Sequence, residues 1–112
     1  MKVFLKLIVF VTLLIYSNVA AGQVVVSQFN AGWNSTNKVT WLSKLTDVDK
    51  VKYIDIAVNV KAQQKYKIVV VPTIIVFNGK EVKRFQADIS FSMKATKKDV
   101  QAAVDDILMS DF

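Results

Sequence analysis

Residues 71–86 read VPTIIVFNGKEVKRFQ, and this stretch decides the fold class of the 112-residue chain. Residues 73–77 are almost entirely apolar, which is typical of a central strand covered on both faces of a sheet. Asn78-Gly79 follows, and both residues tolerate the positive φ angles of a tight hairpin turn. Residues 80–86 then return as a more polar strand. The stretch therefore predicts an antiparallel hairpin whose first strand is buried.

Upstream of the hairpin, the sequence predicts two further strands and two helices. The strands are residues 24–31 (VVVSQFNA) and 51–56 (VKYIDI), which are rich in β-branched side chains. Between them, four consecutive residues of helix-capping type predict a helix from about Ser35 to Leu45. A shorter helix is predicted over 60–66, with Asn59 as its N-cap. A strand, a helix and a second strand in this order make a parallel βαβ unit.

The final predicted element is a helix over residues 97–109. Thr96 and Asp99 form a capping pair at its start. Its apolar side chains recur at the spacing of one helical face, at Val100, Ala103, Val104, Ile107 and Leu108. Together with the hairpin, this helix makes a ββα unit. The chain is therefore predicted to be an α/β domain with a mixed four-stranded sheet flanked by helices.

The composition excludes several classes of chemistry, because the chain contains no cysteine and no histidine. Without thiols it cannot form a disulfide or ligate zinc through thiolate, and without imidazole it lacks the usual general base. No carboxylate pair stands out for acid–base work, and no metal site or cofactor is predicted. The chain has 15 basic and 9 acidic residues, a formal net charge of +6. The basic residues are scattered, so nucleic acid is not a predicted partner.

The N-terminus predicts where the protein is located. Residues 1–21 have the layout of a secretory signal peptide, with two lysines, an apolar run over 7–16 and small residues before the cleavage point. The domain is then 22–112, exported to the periplasm or the extracellular space. The competing interpretation is a membrane anchor at an uncleaved N-terminus, although a spanning helix needs about 20 apolar residues. A buried first strand of the domain is a third interpretation.

Residues 29–38, FNAGWNSTNK, resemble the active-site stretch F-x-A-x-W-C-x-x-C-K of the thioredoxin-like family, with Asn34 and Asn37 in place of both cysteines. Further matches follow in order along the chain: YID at 53–55, YKI at 66–68, VPT at 71–73, and the strand with its Asn-Gly turn. The resemblance spans residues 24–108 and implies the family's fold. It extends to small exported thioredoxin-like proteins that carry Asn-x-x-Asn at the redox position.

Several departures from the family pattern imply that its redox chemistry is lost. Asn34 and Asn37 carry amides, which can neither attack a disulfide nor resolve one. Gln28 stands where the family has a buried carboxylate, and Val51 stands where it has the neighbouring lysine. Val70 replaces a glycine, and the family's first strand is missing from the predicted order. The resemblance therefore implies a redox-inactive domain that is not an enzyme.

The resemblance also implies a binding surface. Pro72 corresponds to the family's cis-proline, which faces the active-site pair and leaves the preceding backbone free to pair with an extended peptide. The implied peptide-binding residues are Trp33, Asn34, Val71, Pro72 and Thr73. For the stretch that begins at Asn34, the competing interpretation is a well-capped helix start with no function. The same asparagine begins an N-glycosylation sequon, N-S-T, which would matter only in a eukaryotic secretory route.

Residues 87–95, ADISFSMKA, are the least family-like stretch. Ile89, Phe91 and Met93 alternate with polar residues, which is strand periodicity. One interpretation is an extended connector that lays Phe91 across the core, and the other is an edge strand or arm that pairs with a partner. The leading functional prediction is an exported, non-catalytic protein that binds a protein or peptide around Asn34. The alternative is a structural or assembly subunit that uses residues 87–95.

Overall fold

The computed structural model describes residues 23–110, which form one mixed four-stranded sheet in the order β2-β1-β3-β4. Strand β1 pairs parallel with β2 and antiparallel with β3, and β3 pairs antiparallel with β4. The strands are β1 Val24–Asn30, β2 Lys50–Asp55, β3 Thr73–Asn78 and β4 Glu81–Gln86. The predicted α/β fold, its strand order along the chain and the Asn-Gly hairpin are all confirmed.

Two α-helices lie where the sequence predicts them. Helix α1 spans Val60–Lys65, and the side chain of Asn59 caps it by accepting a hydrogen bond from the Ala62 backbone N–H at 3.1 Å. Helix α2 spans Lys97–Ser110. Its predicted capping pair is formed as well, since the Asp99 carboxylate accepts from the Thr96 N–H at 2.8 Å. Hydrogen bonds from Thr96 lower the pKa of Asp99 below its usual value.

The helix predicted from Ser35 to Leu45 is wrong. The chain instead forms two short 3-10 helices, Gly32–Asn37 and Leu42–Lys44, separated by extended backbone that begins at Lys38 (φ −58°, ψ 133°). The first helix also begins earlier than predicted, and its N-cap residue, Ala31, makes no side-chain capping hydrogen bond. The helical conformation ends after residue 37.

Just beyond this break, the backbone of Val39 is hydrogen-bonded to the side chain of Gln28, which lies on β1 and is only 2% exposed. Its amide N–H donates to the Val39 carbonyl at 3.0 Å, and its carbonyl oxygen accepts from the Val39 N–H at 2.8 Å. These two bonds occupy both backbone polar groups that Val39 would need to continue a helix. The side chain at the family's carboxylate position thus shapes the backbone.

The sheet is covered on both faces by separate apolar clusters. One cluster joins Val24, Val26, Ile74 and Val76 to the buried face of α2, which consists of Val100, Ala103, Val104 and Ile107. The other cluster lies on the opposite face and contains Phe29, Ala31, Ile56, Ile68, Val71 and Ile75. Neighbouring residues of β3 therefore enter different clusters, as expected for a buried central strand. The α2 face is the predicted one, with Leu108 at its half-buried margin.

The predicted signal peptide, residues 1–21, lies outside the described part of the chain, so the interpretations of the N-terminus stay predictions. Between residues 23 and 110, no helix combines the length and the apolar character that crossing a membrane requires.

In the same part of the chain, β2 is an edge strand, and Val51 lies on it, about two-fifths exposed.

The two hydrogen bonds between the Gln28 side chain and the Val39 backbone are here called the Gln28 bridge. Removing this bridge should lower the stability of the fold measurably. The Gln28→Leu variant leaves the Val39 N–H and carbonyl without their buried partners, and we expect the free energy of unfolding to fall by about 2 kcal/mol. Urea denaturation followed by circular dichroism measures this change. The control is Gln63→Leu on the exposed side of α1, which should change stability by less than about 0.5 kcal/mol. Equal stabilities for the two variants would contradict the bridge.

Candidate functional site

The site predicted from the sequence centres on Asn34, which lies four residues beyond the end of β1. Its backbone N–H donates to the Ala31 carbonyl at 2.8 Å, which begins the first 3-10 helix. The residue is only 4% exposed. A side-chain amide in such a place needs a protein partner for each polar atom, because water cannot supply one.

Three chain segments supply those partners. The Asn34 side-chain N–H₂ donates to Asn30 Oδ1 at 3.0 Å and to the Phe91 carbonyl at 3.1 Å, with a longer contact of 3.5 Å to the Val71 carbonyl. Its Oδ1 accepts from Asn37 Nδ2 at 2.8 Å. In turn, Asn30 Nδ2 donates to the main-chain carbonyl of Asn34 at 3.2 Å. We call these three asparagines and their hydrogen bonds the amide network. The network joins the end of β1, the loop before β3 and the segment after β4.

The two predicted redox positions therefore touch each other. Asn34 and Asn37 lie on one 3-10 helix, and their side chains share a hydrogen bond where the thioredoxin pattern has a pair of thiols. Among residues 23–110, every buried side-chain nitrogen or oxygen has a hydrogen-bond partner. The amides are thus satisfied donors and acceptors, and this arrangement supports hydrogen bonding rather than proton or electron transfer.

The predicted peptide-binding residues divide into one exposed residue and four buried ones. Trp33 is 67% exposed, whereas Asn34, Val71, Pro72 and Thr73 are buried. The Val71–Pro72 peptide bond is cis, as the resemblance implied. The structure brings Trp33, Asn34 and Val71 together, and only Trp33 offers a partner a large side-chain surface.

Phe91 is the member of this site that sequence reasoning missed. Its ring meets the Trp33 ring edge to face, with 5.2 Å between centroids, and its carbonyl accepts from Asn34. Phe91 therefore does not lie across the core as the connector interpretation expected. The one clue in the sequence was the length of the stretch between β4 and α2, which exceeds the short turn usual in the family.

The other interpretation of residues 87–95, an edge strand, is also wrong. The structure describes no strand there. The three apolar residues enter three different environments: Met93 packs against the cluster beneath α2, Phe91 packs on Trp33, and Ile89 is 96% exposed. The alternation of apolar and polar residues in this stretch therefore belongs to a folded loop and does not reflect pairing in a sheet.

Charged groups lie around the site without entering the amide network. Lys38, the last residue of the thioredoxin-like stretch, places its ammonium group 4.5 Å from the centre of the Tyr53 ring, a cation–π contact. The Asp55 carboxylate accepts from the Ala57 N–H at 2.9 Å and so caps the turn after β2. Over the described residues, 23–110, no group of three or more potential ligands is arranged to hold a metal ion.

The burial of Asn34 bears on the glycosylation sequon. A glycan would be attached to Nδ2, the atom that donates to Asn30 and Phe91 inside the amide network. The residue has almost no surface at which a sugar could emerge. The folded structure therefore cannot carry a glycan at this position without breaking the network.

The amide network predicts an unusual ranking of two nearly isosteric substitutions. In Asn34→Asp, a carboxylate faces the Phe91 carbonyl and Asn30 Oδ1, which are both acceptors, so we expect a loss of about 3 kcal/mol in unfolding free energy at neutral pH. Burial beside these two acceptors is expected to raise the folded-state pKa of the new carboxyl. The loss should therefore shrink as pH falls and be smallest below the unfolded pKa of about 4.

The matched control is Asn59→Asp, measured by denaturation across the same pH range. The Asn59 side chain only accepts a hydrogen bond, from the Ala62 N–H, and a carboxylate can do the same. We expect this variant to keep its stability at neutral pH. An Asn34→Asp variant that is as stable as Asn59→Asp at pH 7 would contradict the network.

The backbone of this chain is similar to those of several solved thioredoxin structures. No protein-family model matches the chain, and no curated protein is significantly similar to it. A thioredoxin from Nicotiana alata is 24% identical, with a TM-score of 0.57 over 80% of this chain and 77% of that one. The Fasciola hepatica thioredoxin is 22% identical, with a TM-score of 0.54 over 77% and 82% of the two chains.

Thioredoxin 1 from Thermosipho africanus gives a similar result at 18% identity, with a TM-score of 0.58 over 78% of this chain and 97% of that one. At these identities the similarity concerns the backbone. It agrees with the mixed four-stranded sheet and its helices described above. The chain has the thioredoxin fold.

Proposed function

We propose that the chain is a redox-inactive protein of thioredoxin fold that binds a protein or peptide through the surface around Trp33. The absence of cysteine from the sequence supports the loss of thiol chemistry. The buried amides of Asn34 and Asn37 support it as well, because they hold the site together and leave no thiolate to react.

The observation that carries the binding proposal is the exposure of Trp33 beside a rigid support. Two-thirds of this side chain faces solvent, while the next residue is fixed by the amide network. Tryptophan is enriched among the residues that dominate binding energy at protein interfaces, because it buries a large area with few rotatable bonds. A partner can therefore bury the exposed indole of Trp33 without first having to order the backbone that carries it.

The proposal includes export. It rests on the layout of residues 1–21, with their two lysines, apolar run and small residues. The partner then belongs to the periplasm or the extracellular space. An uncleaved N-terminus would instead hold the same binding surface at the membrane.

A second candidate function is assembly through the segment after β4. Ile89 favours it, because this residue is 96% exposed and is the most exposed of the large apolar side chains in the described chain. The two candidates differ in the residue on which binding depends. Trp33 carries the first, and Ile89 carries the second.

Site-specific crosslinking in the cells that make the protein distinguishes them. A photoreactive residue replaces Ser35, which is exposed beside Trp33, in the full-length chain. We expect Trp33→Ala to reduce the yield of the crosslinked species by at least about tenfold, as for loss of a residue that dominates binding. The matched control is Val69→Ala, another exposed apolar residue, which should leave the yield unchanged.

The same experiment has two contrary outcomes. Unchanged crosslinking in Trp33→Ala, with native circular dichroism, would count against the binding proposal. Loss of crosslinking in Ile89→Ala together with full yield in Trp33→Ala would favour the assembly subunit.

A further inference from the structure

Residues 88–94, here named the Phe91 loop, form a compact loop closed by their own hydrogen bonds. The Asp88 carboxylate accepts from the Ser90 hydroxyl and from the Ser90 N–H at 2.9 Å. The Phe91 N–H donates to the Asp88 carbonyl at 3.0 Å, and Lys94 pairs with Asp88 at 3.4 Å. The hydrogen bonds from Ser90 lower the pKa of Asp88. The loop therefore has a defined shape, although these contacts are exposed and individually weak.

Both ends of the Phe91 loop are fixed to the body of the domain. At the first end, the buried residue Ala87 donates its N–H to the Pro72 carbonyl at 3.0 Å. At the other end, Met93 packs against the apolar cluster beneath α2. The loop is thus attached directly beside the cis-proline, at the edge where the thioredoxin resemblance implies a bound peptide.

The tip of the loop occupies the site itself. The Phe91 carbonyl accepts from the Asn34 amide at 3.1 Å, and its ring packs on Trp33. Phe91 also has a φ of 61°, a left-handed conformation that is rare for a bulky side chain and costs free energy. The two contacts with the site must offset that cost. These two contacts and the loop's own hydrogen bonds together hold the tip in place.

We propose that the Phe91 loop is a built-in ligand of the binding surface, and the proposal rests on the function proposed above. The loop offers one main-chain carbonyl to Asn34 and one aromatic ring to Trp33. An external ligand is then a peptide segment that offers the same two groups, and it binds by displacing the loop. The surface therefore selects a peptide in which an aromatic residue has a main-chain carbonyl that is free to accept a hydrogen bond from Asn34.

The Phe91 loop competes strongly with an external peptide because it is covalently attached to the surface that it occupies. A ligand tethered by a short loop acts at an effective concentration on the order of millimolar, so free peptides compete poorly with it. The ring is only partly covered, since Phe91 is 41% exposed. Displacement therefore costs few buried contacts, and a partner with further contacts of its own can achieve it.

The test supplies the loop in trans. The probe is a synthetic peptide ADISFSMKA, the sequence of residues 87–95, titrated into the full-length protein while NMR follows the Asn34 side-chain N–H₂ and the Trp33 indole N–H. In the Phe91→Ala protein, we expect saturable shifts at both groups. In the unmodified protein, the same peptide should bind at least about tenfold more weakly because the internal copy competes.

Three controls make the outcome decisive. A peptide with alanine in place of phenylalanine should bind neither protein. Ile89→Ala removes an exposed side chain of the same loop, and this protein should behave like the unmodified one. Phe91→Gly accepts the φ of 61° without strain and should give the same ranking of affinities if alanine distorts the loop.

The proposal is overturned if the peptide fails to bind the Phe91→Ala and Phe91→Gly proteins, or binds them no more tightly than the unmodified protein. Equal binding of the alanine peptide would also overturn it, because the aromatic ring would then be irrelevant. In each of these cases the dependence of crosslinking on Trp33 still decides the proposed function separately.

Discussion

The side-chain amide of Asn34 lies where water cannot reach it, and the arrangement of the site depends on satisfying its donors and acceptor. Its partners come from residues 4, 37 and 57 positions away along the chain, besides Asn37 on the same 3-10 helix. One polar group thus fixes the relative positions of the end of β1, the cis-proline loop and the Phe91 loop.

The amide network holds the segment after β1 in place by hydrogen bonds alone. In a redox protein of this fold, the chemistry requires two sulfur atoms within bonding reach at the start of a helix. Here the side-chain amides of Asn34 and Asn37 are in contact and share a hydrogen bond.

Local patterns account for most of what the sequence predicted correctly. The hairpin, the two α-helices and the caps at Asn59 and Thr96 depend on residues within a few positions of one another, and all were confirmed. The covered faces of β3 followed from the apolar run alone. The resemblance also predicted the cis peptide bond before Pro72, which is confirmed.

The errors have a shared physical origin, which is side-chain hydrogen bonding over longer distances. The helix predicted from Ser35 does not continue to Val39, whose backbone is hydrogen-bonded to the side chain of Gln28, 11 residues away. The position of Phe91 was missed because its partners are Trp33 and Asn34, more than 50 residues earlier. Neither capping propensity nor apolar periodicity contains information about such contacts.

We infer that Asn34 and Asn37 occupy the places of a thioredoxin thiol pair. The most direct measurement is mass spectrometry of the Asn34→Cys, Asn37→Cys double variant after mild oxidation. Because the two side chains are in hydrogen-bond contact, we predict an intramolecular disulfide. An Asn34→Cys, Asn78→Cys control should stay reduced, since Asn78 pairs with Val24 at the far end of the sheet. A double variant at 34 and 37 that forms no intramolecular disulfide would contradict the account.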